Sequence, residues 1–113
     1  ETNYPPYNIR KVSEDQYTIE LAVAGFEEKD IDIELVEETL TIKGNRPKEA
    51  SDGLLHQGLA ARDFIKKFVL SDDMVIKGAA LSNGMLYIGV ERVIPDEKKP
   101  RKIKLTSKSK LLG

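Results

Sequence analysis

The sequence predicts an all-β fold, an antiparallel sandwich followed by a flexible C-terminal extension. Three observations carry this. Several short runs alternate apolar with polar residues, the period of a half-buried strand. Turn residues punctuate those runs at regular spacing, and Asn83-Gly84 is the strongest such signal. No stretch sustains a helical period, and a late charged segment is bracketed by Pro95 and Pro100, which do not fit a central strand.

Pro5 and Pro6 start the chain in an extended form, and Tyr7 to Val12 reads as a short strand. Glu14-Asp15-Gln16 turns the chain. Tyr17, Ile19, Leu21 and Val23 then alternate with Thr18, Glu20, Ala22 and Ala24, and Gly25 ends that strand. After the polar connection Glu27-Glu28-Lys29-Asp30, Ile31, Ile33 and Leu35 alternate with Asp32 and Glu34. Glu37-Glu38 marks a hairpin turn. Leu40 and Ile42 alternate with Thr39, Thr41 and Lys43, and Gly44 closes the strand. Asn45 to Gly53 is a loop, with a candidate short strand at Leu54, Leu55 and Gln57. Strands resume from Phe64 to Leu70 and from Met74 to Lys77, with a turn at Asp72-Asp73. Met85 to Arg92 follows the Asn83-Gly84 turn.

The length of 113 residues suits one domain with arms. Residues 1–6 read as the end of an N-terminal arm, 7–94 as the domain and 95–113 as the extension. The chain starts at Glu1 rather than Met, which reads as a fragment of a longer protein. The formal net charge of −1 points to neither nucleic acid nor membrane. With no cysteine there is no disulfide, thiolate metal site or thiol nucleophile, which suits a reducing cytoplasm. No apolar run approaches a membrane span. Charge is nevertheless unevenly placed. Acids dominate from Glu14 to Glu38, and from Lys98 onward every charged residue is basic. An acidic surface and a basic tail on one chain make self-association the simplest partner.

Ile103-Lys104-Leu105 lies within that basic tail. Alternation puts Ile103 and Leu105 on one side of an extended backbone. The pair is too short for a core of its own and reads as two knobs seeking a groove. A last edge strand closing its own domain is the competing account of this tripeptide.

Four motifs in order resemble the α-crystallin domain of small heat shock proteins. Ala79-Ala80-Leu81-Ser82-Asn83-Gly84-Met85-Leu86 matches the family's A-x-x-x-N-G-x-L signature, carried by Ala79, Asn83, Gly84 and Leu86. Val23-Ala24-Gly25-Phe26 is similar to the end of an early strand in that domain. Phe64-Ile65-Lys66-Lys67-Phe68 resembles the family's F-x-R-x-F strand, and Ile103-Lys104-Leu105 its I-x-I/V tail motif. Tyr4-Pro5-Pro6-Tyr7-Asn8, Leu86-Tyr87-Ile88 and Glu91-Arg92-Val93-Ile94-Pro95 are most similar to the bacterial inclusion-body-binding branch. Physically, a small Ala79 suits a close sheet-to-sheet contact, and the signature makes the fold rather than any chemistry.

The resemblance implies an immunoglobulin-like antiparallel sandwich and an ATP-independent holdase chaperone. Its partners would be itself, as dimers and higher oligomers, partly unfolded clients, and ATP-driven refolding chaperones. No cofactor, nucleic acid or membrane is implied. The family dimer forms by strand exchange, so Leu54, Leu55 and Gln57 would pair with the neighbour's Asn8, Ile9 and Val12. Ile103 and Leu105 would dock in a groove between two strands, with Ile31, Ile33, Leu35, Val75 and Ile76 as candidate lining. Asp32 and Glu34 near that groove, against Lys102 and Lys104, would make docking salt-sensitive. Lys66 stands where the family usually carries arginine at the dimer interface, so a point charge replaces a planar fork there. The family's apolar N-terminal arm is expected to be missing here, which would reduce client capture.

Two other functions are weighed. An enzyme is disfavoured, since His56 is the sole histidine, no cysteine pairs with it and the acids scatter on expected solvent faces. A β-sandwich adaptor for one defined protein partner would need neither the I-x-L arm nor a dimer-forming loop. A nucleic-acid role is weaker, because no aromatic residue interleaves with the tail lysines.

Overall fold

The computed structural model describes residues 3–46, 52–58 and 62–113. Among the described residues there are seven strands: β1 (Tyr7–Lys11), β2 (Gln16–Ala22), β3 (Ile31–Val36), β4 (Thr39–Gly44), β5 (Phe64–Val69), β6 (Met74–Ser82) and β7 (Met85–Arg92). They form two antiparallel sheets of order β1-β2-β7-β6 and β3-β4-β5. The sequence-predicted sandwich is therefore the observed fold. Strands β1 and β6 are the edges of the larger sheet, and β3 and β5 those of the smaller.

Period-two patterning decides what is buried. Ile19 and Leu21 of β2, Leu40 and Ile42 of β4, and Leu86 and Ile88 of β7 pack into one core. Full burial of each such side chain stabilises by roughly 1.5–3 kcal/mol. The alternate residues of β1, β3 and β5 face solvent.

Two tight hairpins set the registers. Ser82 pairs with Met85, leaving Asn83 and Gly84 as the two-residue turn. Their φ angles of 53° and 78° are both positive, the geometry that makes Asn-Gly the favoured dipeptide there. Val36 pairs with Thr39 across Glu37-Glu38, with Glu37 at φ 56°.

At the far end of the smaller sheet, Gly44 pairs directly with Phe64. The Phe64 ring covers the glycine, and it meets Tyr4 and Phe26 edge-on at centroid distances of 5.9 and 5.5 Å. Arg62 lies 4.4 Å from the centroid of the Tyr4 ring.

Four features depart from the sequence expectation. First, β6 runs to Ser82 rather than stopping at Lys77. A register shift between Ile76 and Gly78 leaves Lys77 as an extra residue, and pairing with β7 carries the strand past the bulge. Second, Ala79 is exposed and sits beside an open hollow, so it does not mediate a close sheet-to-sheet contact. Third, among the described residues Leu54, Leu55 and Gln57 form no strand: Leu55 lies in a bend, and Leu54 and Gln57 are irregular. Fourth, the extension ends in a short helix, α1 (Lys108–Leu112), capped by the Ser107 hydroxyl, which accepts from the Lys110 amide at 3.3 Å.

The last strand does not mark the end of the packed region. The Val93 amide donates to the Asp73 carbonyl at 2.6 Å, and the Lys98 ammonium pairs with Asp72 at 2.6 Å. Beyond Lys98 every residue is exposed. The radius of gyration, 21.5 Å, exceeds the value of about 13 Å expected for a compact chain of this length.

Candidate interaction site

Edge strands β3 and β6 face each other across one open side of the sandwich. Between them lies a hollow of about 190 Å³, walled by Ile31 and Ile33 of β3 and by Ala79 and Leu81 of β6, with Leu86 behind them. The sequence-based lining is thus brought together only in part. Leu35 lines a neighbouring hollow, Ile76 packs on the core, and Val75 points to solvent opposite Glu91. The bulge at Lys77 explains the substitution. It shifts the inward phase of β6 by one residue, from Met74 and Ile76 to Ala79 and Leu81. Ala79 then leaves the space that a larger side chain would fill.

The acids expected to guide the tail are placed differently too. Alternation turns Asp32 and Glu34 to the opposite face from Ile31 and Ile33, with Asp32 across from Lys43. The acid that lines the hollow is Glu28. It belongs to a single 3₁₀ turn, Glu28–Asp30, held by a capping box in which the Asp30 carboxylate accepts from the Glu27 amide at 2.9 Å.

The tail carries its two knobs free of the domain. Ile103 is 70% and Leu105 100% exposed. Such a pair gains burial only by docking on another surface.

The opposite open side lies between β1 and β5. Ile9, Tyr17, Phe68, Leu70, Met74 and Val90 line a larger apolar hollow there, about 490 Å³. All five residues of β1 are exposed, and Val12 just beyond it is exposed as well. Asn8, Ile9 and Val12 therefore stand on an open edge. Leu54 is half exposed and Leu55 fully so, on the loop expected to pair with it. Lys66 is half-buried on the inward side of β5, as alternation with Phe64 and Phe68 requires. Its ammonium lies 4.8 Å from the centroid of the Tyr7 ring, and that ring packs edge-on against Phe68 at 5.1 Å.

One charged pair with a buried carboxylate escaped the sequence reading. Glu20 is buried on the outer face of β2, where its carboxylate accepts from Arg10 Nε at 2.7 Å, Arg10 Nη2 at 3.2 Å and Thr18 Oγ1 at 3.2 Å. The Arg10 hydrogen bond holds the Glu20 carboxyl below its usual range, and Glu20 in turn raises the Arg10 guanidinium. Asn8 lies opposite Glu20 and Arg10 opposite Thr18. Arg10 and Glu20 are thus diagonal neighbours on one face, a relation visible only once the register is known. The pair fastens edge strand β1 to β2.

Among the described residues, no group of His, Asp and Glu is placed to hold a metal ion, and no helix is long and apolar enough to cross a membrane.

Residues 9–106 match the model of the Hsp20/alpha crystallin family. Small heat shock protein IbpA of Pectobacterium carotovorum is 45% identical over 103 residues, covering 90% of this chain and 75% of its own. Its counterpart in Escherichia coli is 46% identical over the same length and coverage. The solved small heat shock protein of Synechococcus phage S-ShM2 superposes with a TM-score of 0.67 at 31% identity, covering 90% of this chain and 99% of that one. Fold, signature turn and relatives agree: the chain belongs to the Hsp20/alpha crystallin family of small heat shock chaperones.

Proposed function

We propose that this chain is an ATP-independent cytoplasmic holdase that works as dimers assembled into larger oligomers. It captures partly unfolded proteins, keeps them from aggregating and leaves refolding to ATP-driven chaperones. The observation that carries this is the coexistence of exposed knobs and open apolar hollows on one chain. Ile103 and Leu105 are free, and the hollow walled by Ile31, Ile33, Ala79 and Leu81 is open. Unfolding clients expose apolar patches and unpaired edges, which such surfaces cap.

The tail of one copy docks its Ile103 and Leu105 in the β3–β6 hollow of another. Dimers form when Leu54, Leu55 and Gln57 of one copy pair with the open β1 edge of a second, near Asn8, Ile9 and Val12. Lys66 lies by that edge and contributes a charge to the interface. Linked copies multiply weak tail contacts by effective concentration.

The test measures light scattering of a thermally unfolding client without nucleotide, beside native mass spectrometry. The chain is expected to suppress scattering, and I103A/L105A to shift large assemblies to dimers. Unsuppressed scattering removes the holdase assignment. An unchanged mass distribution in the double variant removes the docking claim.

A further inference from the structure

A third hollow lies just beyond the β3–β6 one, at the end of the sandwich where the β3–β4 and β5–β6 turns meet. Leu35, Leu70 and Met74 supply its apolar lining, and Glu37, Glu38 and Asp72 supply the acids, around about 340 Å³. An ammonium already sits at this rim. Lys98 pairs with Asp72 at 2.6 Å, and its proton affinity is raised chiefly by that bond, with Asp73 and Glu38 adding to it. Glu37 and Glu38 themselves are exposed.

The matching piece is the end of the tail. Helix α1 exposes Leu111 and Leu112, at 73% and 72%, beside the exposed Lys108 and Lys110. Two adjacent leucines preceded by two lysines complement a leucine- and methionine-lined hollow rimmed by acids. We propose that the Lys108–Leu112 segment of a second copy seats in this acid-rimmed hollow, as an anchor additional to Ile103 and Leu105. This rests on the docking of those two residues described above, and their spacing to it agrees. Thr106 and Ser107 extended, then a helical turn, carry Leu111 about 13 Å past Leu105. Along β3, the distance from Ile33 to Glu37 is also about 13 Å. A tail running alongside β3 toward its turn therefore delivers Leu111 and Leu112 to the hollow. The lysines meet Glu37 and Glu38 there, and the capped turn is already formed before docking.

The chain has no cysteine, so a placed pair gives an unambiguous disulfide. Full-length chains carrying Ser71→Cys and Ser109→Cys are co-expressed, purified together and oxidised. A two-chain disulfide species is expected. Its rate of formation is expected to fall at least tenfold when L111A/L112A is added to the Ser109→Cys chain. E37K/E38K in the Ser71→Cys chain should suppress it as well, and K108E/K110E in the partner chain should restore it. A yield indifferent to L111A/L112A overturns the proposal. So does a disulfide that forms only when both cysteines are in one chain, which would assign the hollow to the chain's own tail. I103A/L105A with an unchanged assembly mass defeats the first anchor alone, while the leucine-dependent disulfide reports the second.

Discussion

Gly44→Ala probes how the smaller sheet is closed. A Cβ built on Gly44 overlaps one edge of the Phe64 ring, 2.6 Å from Cζ and 2.7 Å from Cδ2. Phe64 is 7% exposed and boxed in by Tyr4 and Phe26, so the ring has no free direction in which to yield. Overpacking of this kind costs about 1–3 kcal/mol. Disturbing two edge-on aromatic contacts adds about 0.5–1.5 kcal/mol each. Restricting the unfolded chain by removing a glycine returns only about 0.4–1 kcal/mol. The net loss spans about 1–6 kcal/mol, and its midpoint near 3 kcal/mol corresponds to a fall in Tm of about 10–25 °C for a domain of this size. Far-UV circular dichroism melts, with urea midpoints as a second measure, read this directly. Gly89→Ala is the control, since its Cβ meets Lys77 Cβ at 3.6 Å, an ordinary contact. A Phe64→Leu change in the Gly44→Ala background should recover part of the loss, giving a coupling above about 1 kcal/mol. A Gly44→Ala chain that melts with the parent would refute the packing account, as would strict additivity of the two changes.

Two more perturbations follow from the same structure. Because the folded Glu20 carboxyl is held below its ordinary value of 4.5, its contribution is present above that pH and vanishes as pH falls through the lowered folded value. Urea midpoints of the parent and of Glu20→Gln should therefore differ most at neutral pH and converge on acidification, and a gap constant with pH would exclude the ion pair as its source. Gly84→Ala tests the signature turn, where φ is 78° and the new Cβ would meet Ala24 Cα at an ordinary 3.6 Å. Backbone strain alone then acts, about 1–2 kcal/mol, and a urea midpoint equal to the parent's would show that the turn relaxes freely.

Much of this fold is written in short-range pattern. The inward set of β2 and β4 is the alternation of Ile19 with Leu21 and of Leu40 with Ile42, and Asn83-Gly84 is its own turn instruction. What escapes the pattern depends on pairing between segments distant in sequence. Lys77-Gly78-Ala79-Ala80 holds no β-branched or aromatic residue, yet it is strand because β7 offers partners. The bulge within it moves the inward phase of the strand from Met74 and Ile76 to Ala79 and Leu81, a shift that no local period announces. Glu20 is buried for the same kind of reason, since its neutralising partner lies across a register. The tail differs again. Its knobs are legible as residues without a local place, whereas α1 is a single turn with too little periodicity to register.

The clasp of Phe64 over Gly44 has one more implication, for how freely this chain can change. Strands β4 and β5 are hydrogen-bonded neighbours, and two residues would suffice to join them. The chain instead makes the excursion from Asn45 to Asp63. Closing about twenty residues rather than two adds only about 2 kcal/mol of chain entropy. Directly at its base, the Arg46 amide bonds the Asp63 carboxylate and the aromatic clasp fixes the first strand pair. The two ends of the excursion are therefore held together by contacts at its base. Its length and content can be rewritten, and foreign segments grafted into it, while the two sheets keep their register.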